Sequence, residues 1–340
     1  MNLVLQRSVS ATGGALAAPP GASAWQGAAW AALAMVIWAA YPVVTRASVT
    51  QTLAPQDLFA LRFGISAVLF VPYLAWRAAA LPASDWIKGV GLALCQGTLA
   101  ALVIAGLARA PASHASALVQ GVIPAWVLIA GAVFLGRRFQ RGSARGVTLI
   151  VAGVATLVAS SSSVLDGQVV RGDLMFILAS LLGCGYLLQM RHFRLAPIAA
   201  AAFVAVYAAI AFLPWYLLST DHPFARVSSS ELILQGLYQG VLVGFVSFIA
   251  LNRAIAALGC MKASAFISAV PVLTAVIAIP VLGEQPPFAD CAALLLITLG
   301  AVLASRVPHD AATPPPPSVY EYGPTCLTRA KRTISGASTG

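Results

Sequence analysis

One apolar stretch occurs twice in this chain, first as Ser113–Arg137 and again as Cys260–Glu284. Each copy has small residues at its start, a proline near its middle and a glycine at its end. An offset kept without a gap across several glycine and proline positions indicates an internal duplication, so the fold is built from two similar units. The pairs that keep an offset of 147 residues are Pro124/Pro271, Gly136/Gly283, Gly97/Gly244 and Gly153/Gly300, and at an offset of 145 they are Tyr41/Tyr186 and Arg46/Arg191.

The composition argues against the alternative of a water-soluble α/β protein. The chain is 60% hydrophobic and only 9% charged, whereas a soluble domain needs roughly 25% charged residues to cover its surface. Apolar runs close to the ~20 residues that cross a bilayer recur along the sequence. The net charge of +10 therefore reports how the loops are oriented across a membrane, and nucleic acid is not an expected partner.

These runs predict an all-α integral membrane protein with ten transmembrane helices, arranged as two inverted five-helix repeats. Residues 1–24 and 307–340 are rich in small residues and proline, and are predicted to be disordered cytoplasmic extensions. The first repeat, residues 25–162, has predicted helices at Gly27–Arg46, Asp57–Arg77, Lys88–Ala108, Ser113–Leu135 and from the end of the loop Arg137–Arg145 to Ser162. The second repeat, residues 163–306, has them at Asp173–Arg191, Pro197–Leu218, Glu231–Asn252, Met261–Leu282 and Phe288–Ser305.

The basic residues predict the orientation. Cytoplasmic loops of membrane proteins are enriched in Lys and Arg, and a cytoplasmic N-terminus places eleven of them inside and four outside, the tails left aside. Both termini are then cytoplasmic, in an inner (plasma) membrane protein. The inside set is Arg77, Lys88, Arg137, Arg138, Arg141, Arg145, Arg191, Arg194, Arg253, Lys262 and Arg306; the outside set is Arg46, Arg109, Arg171 and Arg226.

The eighth predicted helix carries a stripe of polar residues. Glu231, Gln235, Tyr238 and Gln239 follow i, i+4, i+7 and i+8 spacing and share one helix face. An amide without a partner in hydrocarbon costs several kcal/mol, so the stripe faces protein or water. It either lines a central solute pathway or makes hydrogen bonds to a neighbouring helix, and we favour the pathway.

The two repeated prolines lie near the middle of the fourth and ninth predicted helices. Pro124 and Pro271 each free the carbonyl four residues earlier and favour a kink. Such symmetric kinks are either hinges of a transporter or packing kinks. Ser268, one turn before Pro271, is either a pathway residue or a small residue that allows close helix packing, which we slightly favour.

Arg62 is the basic residue placed well inside a predicted span, five residues into the second helix. It either extends to the outer interface or faces the bundle interior and binds an anionic group of a solute. His114 begins the fourth helix at the outer boundary, where a lone histidine is more often structural than a proton relay. The remaining predicted cavity residues are Trp38, Tyr41, Gln96 and Gln120.

Catalytic and metal chemistry have little support in the sequence. The predicted spans contain no paired carboxylates, no Ser/His/Asp arrangement and no glycine-rich phosphate loop. The five cysteines show neither CxxC spacing nor histidine clustering. We therefore predict no enzyme, no metal and no cofactor, and leave a homodimer as an open alternative.

The doubled pattern resembles the EamA family of the drug/metabolite transporter superfamily, in which each half closes its fourth helix with a proline and a terminal Gly–Glu and continues with a glycine-containing fifth helix. The resemblance covers about residues 25–306. One position departs from the family pattern, because Arg137 stands where the first half usually has glutamate. The matching residues are Pro271, Gly283, Glu284 and Gly300 in the second half, and Pro124, Gly136 and Gly153 in the first, with Pro55 and Arg62 near the second helix.

The resemblance implies a secondary transporter that exports small metabolites, such as amino acids or related compounds, by alternating access. Glu231, Glu284 and His114 are the candidates for ion coupling, although all three are placed peripherally, so facilitated export or exchange is as well supported as proton antiport. The alternatives are a nucleotide-sugar or phosphorylated-sugar carrier of the same superfamily, a non-transporting membrane sensor and, least favoured, a lipid-modifying membrane enzyme.

Overall fold

The computed structural model describes residues 24–136, 141–163, 167–218 and 227–305, and these residues form helices and turns without a strand. The predicted terminal extensions lie outside them, apart from Ala24, and so do residues 137–140 of the predicted loop Arg137–Arg145. The other residues of that predicted loop, Arg141–Arg145, are helical and begin α6. The helices are α1 (Ala24–Val49), α2 (Pro55–Arg77), α3 (Ala83–Leu107), α4 (Ala112–Ser116), α5 (Ile123–Leu135), α6 (Arg141–Ser163), α7 (Gly167–Phe193), α8 (Pro197–Leu218), α9 (Ser229–Gln235), α10 (Ser247–Leu258), α11 (Cys260–Ile267), α12 (Val270–Leu282) and α13 (Phe288–Ser305).

The predicted membrane fold class is confirmed. In the described part of the chain, eight helical segments are long and apolar enough to cross a bilayer, and two shorter apolar helices follow them. The ninth and tenth predicted spans correspond to these shorter helices, α12 and α13, so the count of ten spans stays a prediction for them. Large apolar side chains on the outer surface suit contact with lipid, for example Val68, Leu94 and Leu218.

Helix packing follows the internal duplication. The main pairs are α1 with α10, α3 with α7, α2 with α8 and α6 with α13. The long span Ser229–Leu258 consists of α9, a π-helical segment and α10. In the duplication, α1 corresponds to α7, and α3 corresponds to this long span. The first two pairs then map onto each other, and the last two map onto themselves, which is the arrangement expected for paired repeats.

Helices α6 and α13 pack closely against each other, with glycines at the contact. A Cβ atom built on Gly153 would lie 2.7 Å from Cγ1 of Ile297, and one built on Gly300 would lie 2.8 Å from Cγ1 of Ile150. Both the two glycines and the two isoleucines are 147 positions apart. The same contact is therefore made twice, once from each unit, and it requires glycine because backbone atoms approach closely there.

Both copies of the repeated stretch are interrupted in the middle. In the first, α4 continues into the π-helical residues Ala117–Gly121, and α5 begins at Ile123, next to Pro124. In the second, α11 ends at Ile267, and α12 begins at Val270, next to Pro271. The interruptions agree with the predicted kinks, since a proline cannot donate the backbone hydrogen bond that would continue the helix.

The repeated glycines end these two stretches. Gly136 caps α5 with φ +61° and Gly283 caps α12 with φ +65°. This left-handed conformation is costly for residues with a side chain and explains why glycine stands at both positions. After Gly283 the chain reaches Glu284, at the end of the bundle that also holds Arg46, Ala112 and Asp290; we call this the Glu284 end.

Candidate functional site

Arg62 is a cation buried inside the helix bundle. Its side chain on α2 lies inside the bundle, with a residue exposure of 9%. The guanidinium carbon lies 4.7 Å from the centroid of the Tyr41 ring and 5.7 Å from that of Phe63, which is the geometry of a cation–π contact. Among the described residues, no carboxylate lies within 4 Å of it, and its Nη1 atom has no hydrogen-bond partner. A buried cation of this kind is expected to bind an anion.

Arg62 also lines a small cavity between α2, α3, α8 and the π-helical segment Gly236–Val246. Two of the predicted site residues, Arg62 and Gln96, meet there, together with the hydroxyl-bearing Ser66. The space open to a water-sized sphere is about 20 Å³, which is room for about one water molecule. In this conformation a metabolite does not fit, so its binding requires these helices to move apart. The apolar side of the cavity is formed by Phe63, Ala201, Val204, Ala205, Gly244 and Phe248.

The polar stripe of the eighth predicted helix faces α1. Gln235 donates from Nε2 to the carbonyl of Val44 at 3.3 Å, and Tyr238 donates to the carbonyl of Ile37 at 2.8 Å. Gln239 donates from Nε2 to the hydroxyl of Thr45 at 2.8 Å. Hydrogen bonding between helices, the alternative left open by the sequence, therefore accounts for the stripe in this conformation. Its role as a pathway wall stays a prediction.

Several buried polar atoms near the middle of the bundle lack a partner in the described part of the chain. They are the hydroxyl oxygen of Tyr41, Oε1 of Gln120 and Oε1 of Gln239. Native proteins rarely leave buried polar groups unpaired, so such atoms indicate places where water or a ligand binds. Three of the predicted site residues thus have free hydrogen-bonding capacity, although only Arg62 and Gln96 line the same cavity.

The other predicted site residues lie apart from this cavity. Trp38 is half-buried on α1, and Ser268 is half-buried in the turn between α11 and α12. Pro124 and Pro271 lie at the two helix interruptions, and their role as hinges stays a prediction.

The three predicted coupling residues all make polar contacts at the Glu284 end. Ser48 and Thr52 donate hydrogen bonds to Glu231. Glu284 accepts the backbone N–H of Ala112 at 2.8 Å and pairs with Nε of Arg46 at 3.3 Å. Arg46 in turn donates to the carbonyls at the end of α3 and just after it, Leu107 and Ala110.

His114 is not the lone boundary histidine that the sequence suggested. It is buried, with an exposure of 2%, and each ring nitrogen contacts a carboxylate. Asp173 on α7 and Asp290 on α13 supply these carboxylates, and neither was recognised as a site residue. The sequence signal was weak because the two acids are separated from the histidine by 59 and 176 residues. Each also lies in the first turn of a predicted helix, where acids are common.

Comparisons with known proteins agree with this architecture. The model of the EamA-like transporter family matches residues 25–159 and again residues 170–306. An uncharacterized transporter from Archaeoglobus fulgidus is 24% identical over 294 residues, covering 82% of this chain and 96% of its own length. A protein of known crystal structure superimposes with a TM-score of 0.55 at 22% identity, over 83% of this chain and 98% of its own, which supports the fold.

The two family matches together span most of the chain, and the structure is a bundle of apolar helices arranged as two similar units. Both observations identify the same family. The resemblance noted from the doubled proline and glycine pattern is confirmed. The chain belongs to the EamA-like transporter family and is a multi-pass membrane transporter of the drug/metabolite transporter superfamily.

Proposed function

We propose that this protein exports small metabolites that carry a carboxylate, such as amino acids or related polar and amphipathic compounds, by alternating access. The observation that supports this substrate class is Arg62: a buried guanidinium that lines a cavity and has, among the described residues, no acidic partner. A carboxylate would supply both the missing charge and the acceptor for Nη1.

A single cation favours a carboxylate over a phosphorylated group. Phosphate carries more charge and is usually bound by several basic groups. Arg62 is the one basic side chain that lines this cavity in the described residues. The nucleotide-sugar or phosphorylated-sugar alternative is therefore less well supported than a metabolite with a single carboxylate.

The proposal includes a topology. The protein lies in the inner (plasma) membrane with both termini in the cytoplasm, as the asymmetry of basic loop residues predicts. Residues 25–162 and 163–306 form the two units that rock against each other, and Pro124 and Pro271 lie where each unit bends. Arg62, Gln96, Gln120, Tyr41 and Gln239 line the pathway when it is widened.

The test is counterflow in proteoliposomes loaded with a mixture of amino acids and other small carboxylic acids, with amides and alcohols of matched size as controls. Arg62→Ala is expected to lower the flux at least about tenfold, because a buried charge pair with the substrate is lost, and Arg62→Lys to retain part of it. Arg77→Ala is the matched control, since Arg77 lies at the opposite end of the same helix.

Equal and near-normal rates for Arg62→Ala and Arg62→Lys would refute the binding role. Ligand binding without flux would instead favour the membrane sensor. Preference for phosphorylated compounds would favour the sugar-phosphate carrier.

A further inference from the structure

His114, Asp173 and Asp290 form a buried cluster that the substrate site does not use. Nδ1 of His114 lies 2.9 Å from Oδ1 of Asp173, and Nε2 lies 3.3 Å from Oδ2 of Asp290. Asp173 has an exposure of 0% and Asp290 of 6%. The second carboxylate oxygen of Asp290 accepts a hydrogen bond from Ser160 on α6 at 2.5 Å. One imidazole is thus held between two carboxylates inside the bundle.

This geometry requires one proton more than a neutral histidine carries. A neutral imidazole has one N–H and one lone pair, so it can donate to only one of the two carboxylates. At the other contact, the lone pair of the ring would face a carboxylate oxygen, and such a contact in a buried site is unfavourable. With a second proton on the ring, both nitrogens donate and both contacts become charge-assisted hydrogen bonds.

The cluster joins the two units of the fold. His114 belongs to the first family-matched segment, whereas Asp173 and Asp290 belong to the second. Arg46 and Glu284 make a second link between the same segments at the same end of the bundle. In alternating access, one end opens when the units separate there, so opening the Glu284 end must break these links.

Water can reach this cluster from one side. A cavity with about 110 Å³ of space open to a water-sized sphere lies beside it, lined by Pro111, Ser113, Glu284, Gln285, Pro286, Pro287 and Asp290. Asp290 both lines this cavity and contacts His114, while Asp173 is fully buried. A proton can therefore pass between Nε2 of His114 and the cavity through the carboxylate of Asp290.

We propose that the His114–Asp173–Asp290 cluster is a proton-binding site that holds the Glu284 end of the transporter closed. The proton leaves Nε2 of His114 for water in the adjacent cavity by way of Asp290, and Nδ1–H continues to donate to Asp173. The lone pair of Nε2 then faces the Asp290 carboxylate, and the contact between α4 and α13 is lost. This inference rests on the proposed alternating access and adds a coupling site to it.

The elements next to the cluster carry other charged groups, and a test must distinguish their titration from that of the cluster. On the neighbouring elements these are Arg46 of α1, Glu284 after α12, Arg109 after α3 and Arg171 of α7. Arg46 and Glu284 pair with each other, and Arg109 donates to the carbonyl of Ala105. Glu284→Gln is therefore included, because Glu284 is the other carboxylate that lines the cavity.

The experiment measures how fast a buried cysteine at this end reacts with a membrane-impermeant maleimide, from about pH 6 to about pH 10, a range wide enough to remove the proton from an imidazole held by two carboxylates. Ser116→Cys is the reporter, since Ser116 is 2% exposed and the substitution nearly preserves its size. It is introduced into the full chain lacking its native cysteines. Gly167→Cys, at the exposed start of α7, corrects for the reactivity of the thiol itself.

We expect the corrected rate to rise roughly fivefold or more with pH, as deprotonation shifts the population toward the open state. In Asp290→Asn the amide donates to the lone pair of a neutral His114 and still accepts from Ser160, so the rate stays low at every pH. In His114→Gln the amide nitrogen donates to one carboxylate while the amide oxygen faces the other, so the rate is high at every pH. Glu284→Gln weakens the link to Arg46, so its rate is higher at every pH, but it retains the wild-type slope.

A wild-type rate that does not change with pH would overturn the proposal, and so would an Asp290→Asn variant that keeps the wild-type slope. The pH dependence of the rate in the otherwise wild-type protein tests the proposal by itself. The proposal can therefore be refuted even if one of the variants fails to fold. Because no substrate is used, the outcome is independent of whether Arg62 binds a carboxylate. If the protein transports carboxylates but the maleimide rate does not change with pH, the proton site is rejected and the proposed transport function is not.

Discussion

Ser66 on α2 occupies the space that a side chain at Gly244 would need. A Cβ atom built on Gly244 would lie 1.8 Å from Oγ of Ser66, which donates to the carbonyl of Gly240 at 2.9 Å. Both Ser66 and Gly244 line the cavity of Arg62. The glycine is therefore part of the wall of the candidate substrate site and fixes how closely α2 approaches the long span Ser229–Leu258.

The two glycines related by the duplication provide the first prediction. Gly244→Ala should displace Ser66 and lower the transport rate several-fold, because the hydrogen bond between α2 and the π-helical segment is lost. Gly97→Ala is the control at the equivalent position, where a Cβ would lie 3.6 Å from Ala208, an ordinary contact. Initial rates in proteoliposomes test this. Equal rates for the two variants would contradict it.

The second prediction concerns the contact of α6 with α13. Gly153→Ala and Gly300→Ala should each destabilise the protein by about 1–3 kcal/mol, since the added methyl overpacks a contact that includes backbone atoms. Gly167→Ala should have little effect, because nothing lies within 4 Å of a Cβ there. Thermal unfolding in detergent measures the difference. Coinciding midpoints for the three variants would show that the interface adapts to the methyl.

Tyr216 and Asp57 provide a third prediction, on stability alone. The Tyr216 hydroxyl donates at 2.6 Å to Oδ1 of the fully buried Asp57, and the other carboxylate oxygen, Oδ2, accepts the backbone N–H of Ala54. Tyr216→Phe should cost about 1–3 kcal/mol, because a buried acceptor loses a donor. Tyr207→Phe removes a longer and only partly buried bond to the carbonyl of Trp86, so its midpoint should fall less. The reverse order would refute this.

The fourth prediction compares two acidic residues. Glu284→Gln should destabilise the protein by about 1–3 kcal/mol, since Glu284 is a partly buried acceptor shared by Arg46, Ala112 and Ser113. Asp85→Asn breaks a local i,i+3 pair with Lys88, and a single pair of this kind on a helix contributes only about 0.2–0.5 kcal/mol. Unfolding of both variants at low and high salt separates them. High salt should reduce the loss of stability caused by Asp85→Asn more strongly than the loss caused by Glu284→Gln.

Much of the architecture was predictable because it depends on spacing. Apolar runs of membrane length predict helices, and a constant offset between glycines and prolines predicts two similar units. The interruptions at Pro124 and Pro271 and the left-handed caps at Gly136 and Gly283 follow from the covalent structure of those residues.

The polar contacts were less predictable. The stripe was recognised from its period, but two of its three partners on α1 are the backbone carbonyls of Ile37 and Val44, and no side-chain type marks an acceptor of that kind. The cluster around His114 joins residues far apart in sequence, so it becomes visible only when the helices are packed. The π-helical segment Gly236–Val246 likewise has no composition that distinguishes it from an α-helix.

The contact between α6 and α13 has a consequence for the ancestry of the fold. Gly153 on Ile297 and Gly300 on Ile150 are one isologous contact, the kind that two identical subunits form about a two-fold axis. A free-standing polypeptide of half this length could make it with a second copy of itself. Tandem fusion of the gene would leave this contact unaltered and would allow the remaining surfaces of the two units to diverge. The His114 cluster, which has no counterpart in the other unit, is an example of such divergence.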